Sequence, residues 1–145
     1  MHLCREVKPE RIFMGRLERG SDLLGSLGEI CLEKDIRLGR VEAIGAVERA
    51  RLQYYCQDDR TYQDLALDRP MEILSLKGNV SLKQGSPLIH AHLTLAGEKG
   101  WAVGGHLAPG TMVFACEYVL EQFLGPDFSR EHDQTTGLPL WTSRI

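Results

Sequence analysis

Leu88-Ile89-His90-Ala91-His92-Leu93-Thr94-Leu95, followed shortly by Trp101-Ala102-Val103-Gly104-Gly105-His106-Leu107, reads as the two strands of a hairpin. Successive side chains of a strand point to opposite faces. Ile89, Ala91, Leu93 and Leu95 therefore share an apolar face, and His90, His92 and Thr94 share the other. The loop length decides where His106 goes. A two-residue loop at Glu98-Lys99 would set His106 opposite Ala91, on the apolar side. A three-residue loop, Glu98-Lys99-Gly100, sets it opposite His92 and brings Val103 beside Leu95. A three-residue hairpin loop calls for a left-handed residue at its end, which Gly100 supplies. The apolar alternation selects the second register and predicts all three histidines on one face.

Outward from this hairpin, most of the chain reads as strands: residues 11–17, 40–47, 50–56, 62–67, 71–80, 112–123 and the two just described. Turns are predicted at Gly78-Asn79, Gly85-Ser86-Pro87, Glu98-Lys99-Gly100 and Ala108-Pro109-Gly110. One helix is predicted over 21–34. Ser21 or Asp22 serves as its cap, and Leu23, Leu24, Leu27, Ile30 and Cys31 form its apolar stripe. The fold class predicted is α+β, a mainly antiparallel sheet with one long helix in the N-terminal half, in a single domain over 1–145. Its core spans about 11–124, and a polar tail over 125–145 lies on the surface.

The chain has 145 residues, 17 Lys and Arg against 20 Asp and Glu, and a net charge of −3. That balance argues against a domain held on DNA or membrane by charge alone. No apolar run approaches the ~20 residues of a membrane span, and the start lacks a secretory pattern. Cys4, Cys31, Cys56 and Cys116 are scattered, with no C-x-x-C pair; this predicts reduced thiols and a cytoplasmic location. Phosphate-loop, dinucleotide and nucleophile-elbow motifs are missing. Tyr54 and Tyr55 beside Arg49 and Arg51 read as a sheet face rather than a base-stacking platform.

Three neutral imidazoles on a rigid hairpin are a ligand set for zinc, with a fourth position open to water or a small ligand. Nickel, copper and iron are also compatible. His90, His92 and His106 are thus the candidate metal ligands, while His2 and His132 read as solvated. A catalytic metal needs a proton carrier, and Glu117 and Glu72 are the candidates. Glu72 shares a strand face with Leu74 and Leu76, which would make it a partly buried acid; the plainer reading of either glutamate is a strand-end residue paired with an arginine or in water.

The runs Met71-Glu72-Ile73-Leu74-Ser75-Leu76-Lys77-Gly78-Asn79, His90-Ala91-His92-Leu93-Thr94-Leu95-Ala96-Gly97-Glu98-Lys99-Gly100 and Val103-Gly104-Gly105-His106-Leu107 together resemble the PPC domain (plants and prokaryotes conserved). The stretch 39–46 and the tail Asp133-Gln134-Thr135-Thr136-Gly137-Leu138-Pro139-Leu140 resemble its stand-alone prokaryotic members, so the likeness covers roughly 11–140. The resemblance implies an antiparallel-sheet domain assembled as a homotrimer. It also implies a metal, zinc first, at the H-x-H…G-G-H histidines, here His90, His92 and His106. Plant members use the domain for oligomerisation and transcription-factor contacts, follow an AT-hook and lack these histidines. No Arg-Gly-Arg-Pro hook occurs here. Three roles follow as expectations: a trimeric metal-binding protein with a small-molecule ligand, a DNA-associated or transcription-related interaction module, and a metal-dependent hydrolase or lyase acting on a small acid.

Overall fold

The computed structural model describes residues 2–142. In chain order its elements are β1 (Lys8–Leu17), α1 (Leu23–Glu33), β2 (Gly39–Cys56), β3 (Thr61–Leu67), β4 (Met71–Lys83), β5 (Ser86–Ala96), β6 (Ala102–Leu107), β7 (Met112–Leu124), β8 (Arg130–His132) and β9 (Pro139–Trp141). The main sheet is antiparallel, in the order β1-β7-β2-β4-β5-β6, with β3 also on β2. The expected antiparallel sheet and single helix are both present. With 11 helical residues in a chain of 145, the fold is nearly all β, and the α+β label overstated the helical share.

α1 begins where a cap was expected: the Asp22 carboxylate accepts from Gly25 N–H at 2.7 Å. Leu23, Leu27 and Cys31, at i, i+4 and i+8, are fully buried and pack the helix onto the inner face of the sheet, against β5. Burying each leucine contributes about 1.5–3 kcal/mol. Ile89, Ala91, Leu93 and Leu95 of β5 meet them in the same core, so the outward positions of β5 are left for the histidines.

The 18-residue β2 runs through Glu48-Arg49, where sequence alone suggested two strands. Its first half pairs with β7 and β4; its second half pairs with β3 and, through Leu52↔Leu107 and Gln53↔His106, with β6. β2, β4, β5 and β6 thus close on themselves. Bulges along β2, between Ala43 and Gly45 and from Ala46 to Arg49, give the bend this closure requires.

Gly78-Asn79 is not a turn. β4 continues through it to Lys83, and the chain reverses at Gln84-Gly85, with φ of 52° and 80°. Two left-handed residues make the tight hairpin that right-twisted strands favour. β5 consequently starts at Ser86. The tail is more ordered than its composition suggested: β8 and β9 form a small hairpin, and Phe128 is buried.

Candidate metal centre

The β5–β6 loop is the three-residue one: Ala96 pairs with Ala102, Gly97 N–H donates to Trp101 O at 2.9 Å, and Gly100 has φ 78°. In this register His92 faces His106 and Leu95 faces Val103. The Gly104-Gly105 pair before His106 has its own cause. A Cβ on Gly104 would lie 2.7 Å from Leu93 O, and one on Gly105 2.9 Å from Gln53 O. Only bare backbone fits β6 between β5 and β2, so the glycines let His106 reach its place.

Together these pairings bring His90, His92 and His106 to one point. One ring nitrogen from each lies within 4.8 Å of the others. His90 Nε2 and His92 Nε2 are 3.2 Å apart, and the ring centroids are separated by 5.0 to 5.6 Å. Tetrahedral coordination at ~2.0–2.1 Å brings ligand nitrogens to about 3.4 Å from one another. The donor set fits a divalent transition metal: three borderline imidazoles, with His90 and His106 half-buried and His92 exposed.

Metal ligation needs neutral imidazole, and the surroundings supply it. Burial, then the charges of Arg130, His106 and His92, push His90 down to about 4. Burial, then His92 and Arg130, also lowers His106. Both shifts favour the uncharged ring at neutral pH.

The wall around the trio was not legible as a site in the sequence. The Arg130 guanidinium of β8 donates from Nε to Ser81 Oγ (2.9 Å), from Nη2 to Asn79 Oδ1 (2.8 Å) and from Nη1 to Pro139 O (3.1 Å). It stacks on Trp141, and its Nη2 stands 3.5 Å from His90 Nδ1. Tyr62 of β3 lays its ring 5.3 Å from that of His106 and 5.0 Å from that of Tyr55. Tyr55 donates its hydroxyl to Thr136 O, tying the tail to this end of the molecule. Arg130 comes from the polar tail and Tyr62 from a strand with no site motif, and only their tertiary position reveals them.

Glu117 and Glu72 are not brought to the histidines. Glu117 stands on β7 opposite Arg16 and Ile44. Three strand spacings separate β7 from β5, roughly 14 Å. Glu72 pairs with Ala96, five residues along β4 from Lys77, the partner of His92; that is roughly 17 Å. Of the two readings of Glu72, the partly buried one does not hold: the residue is exposed. The reason is a bulge between Ile73 and Ser75, which breaks the alternation: Leu76 is buried and Leu74 is 52% exposed.

Residues 4–124 match the family model for the Plants and Prokaryotes Conserved (PCC) domain. A metal-containing protein from Archaeoglobus fulgidus is 39% identical, with a TM-score of 0.93 over 98% of this chain and 100% of its own. A plant- and prokaryote-conserved (PPC) protein from Pyrococcus horikoshii is 30% identical, with a TM-score of 0.92 over 99% of each chain. At 24% identity a candidate DNA-binding protein from Bacteroides thetaiotaomicron shares the fold, with a TM-score of 0.85 over 94% of this chain and 96% of its own. Among curated proteins, the bifunctional protein GlmU of a Synechococcus strain is 33% identical over 88% of this chain; the chain spans only a fifth of that relative's length.

Proposed function

The chain belongs to the Plants and Prokaryotes Conserved domain family, and from that premise we propose that it is a cytoplasmic metal-binding protein. His90, His92 and His106 hold one divalent transition metal, zinc first, and leave a coordination position open for water or a small ligand. The observation that carries this reading is the convergence of three ring nitrogens within 4.8 Å. No carboxylate or thiol joins that group among the described residues. The metal contained in the 39%-identical Archaeoglobus protein supports it.

Three imidazoles add no charge to a divalent ion, so a bound water is acidified and an anionic ligand attracted. Gly104, Gly105 and the β5–β6 pairing set His92 against His106, and His90 stands two residues back on β5, opposite Asn79 and beside Arg130. Metal analysis of purified protein against His92→Ala tests the assignment. About one equivalent per chain is expected in the parent and a large loss in the variant; equal content in both defeats it.

The assembly proposed is a homotrimer. Ile12 (63% exposed), Met14 (79%), Ile44 (58%) and Val119 (38%) stand together on the outer face of β1, β7 and β2. Clustered apolar exposure of this kind marks an interaction surface. Among the described residues, no helix is long and apolar enough to cross a membrane.

A further inference from the structure

On the outer face of the sheet, one row of cross-strand partners runs Met14, Val119, Glu42, Lys77, His92, His106. The next row sets Asn79 against His90. A shallow cavity of about 420 Å³ lies over this corner, lined by Lys77, Gly78, Asn79, His90 and His92. None of the five is acidic. Lys77 is exposed and makes no ion pair among the described residues; Glu42, its partner on the other side, forms none with it. Directly paired residues hold their Cβ atoms ~4.5–5.5 Å apart, so a lysine stem readily carries its ammonium over the His92 ring.

Beside His90 and Asn79, further along β4 from Lys77, stands Arg130. Three of its N–H groups are held by Ser81, Asn79 and Pro139, and Nη2 also faces His90. It is a fixed cation with no carboxylate partner among the described residues. Asn79 gives its carbonyl to Arg130, and its amide N–H groups take no part in that bond. Two cations, Lys77 and Arg130, therefore stand beside the histidine trio, and no acidic residue lines the cavity.

We infer that this corner is an oxyanion-binding site. A small carboxylate or phosphate occupies the open position on the metal, with a second oxygen accepting from the Lys77 ammonium, in the constant positive field of Arg130. This rests on the metal reading above and names the ligand class for that site. A charge-assisted hydrogen bond is the stronger kind, and a positive, partly enclosed site concentrates anions before contact.

Cobalt-loaded protein provides the test, because the visible spectrum of the ion reports a change of ligand without any assay of turnover. The parent, Lys77→Gln and Lys77→Arg are loaded with cobalt and titrated with acetate, malonate and inorganic phosphate at constant ionic strength. The parent spectrum is expected to shift and saturate with at least one of these anions. Lys77→Gln is expected to need roughly 10-fold more anion or beyond at unchanged cobalt content, with Lys77→Arg close to the parent. Preference for the carboxylates or for phosphate identifies the source. Equal titrations for parent and Lys77→Gln overturn the role of Lys77. A parent that binds cobalt but responds to no anion overturns the oxyanion site and leaves the metal site standing. Failure to take up cobalt at the histidines removes the metal reading itself, and this site with it.

Discussion

His92 on β5 is the direct cross-strand partner of His106 on β6, and that pairing depends on a three-residue loop. Deleting Lys99 shortens the loop to two residues and moves His106 by one position, to the face of Ala91. The expected result is loss of most bound metal with the β signature in circular dichroism retained. Gly100→Ala keeps the register and therefore the metal. It puts a side chain at φ 78°, for a cost of about 1 kcal/mol, read as a fall of about 3 °C in melting temperature.

Leu27 is completely buried beneath the hairpin that carries the histidines. Leu27→Ala should lower stability by about 2–5 kcal/mol. Urea unfolding at fixed protein concentration checks this. A midpoint shift with unchanged slope is expected, and the metal content of the folded protein should stay near that of the parent.

In metal-free protein the histidines impose a pH dependence of definite sign. His90 falls from the ordinary value near 6.5 to about 4 on folding, and His106 is lowered in the same sense. Between those values the unfolded chain takes up protons that the native state refuses. Stability is thus complete above pH 6.5 and lost as pH falls toward 4. Thermal melts of chelator-treated protein should show this loss, and His90→Gln should flatten it.

Met14 and Ile44 lie on the β1–β7–β2 part of the outer face, on strands other than those that carry the histidines. A charge in place of either disfavours association there. Light scattering should give about three times 16.3 kDa for the parent, and a smaller species for the double variant Met14→Glu, Ile44→Asp. A monomeric parent contradicts the proposed trimer.

Local rules made much of this molecule readable. Asp22 caps the helix, Leu23, Leu27 and Cys31 keep its period, and Gly100 selects the hairpin register that unites the histidines. What escaped are features set by distant partners. Gly78-Asn79 looks like a turn, yet it is covered on both sides by β2 and β5 and stays extended. The parity of Glu72 against Leu76 is reversed by a bulge that no residue type announces. Arg130 reaches His90 only because β8 returns across β4, forty residues later in sequence. Lys77 becomes part of the site through the β4–β5 register, which the misplaced turn had hidden.

The proposed metal function requires one ion among three ring nitrogens. Crystals of the metal-loaded protein, measured on either side of the absorption edge of zinc, test it most directly. An anomalous peak is expected about 2.0–2.1 Å from a nitrogen of each of His90, His92 and His106. A map with no peak there, or with the ion bound elsewhere and the three rings unliganded, contradicts it.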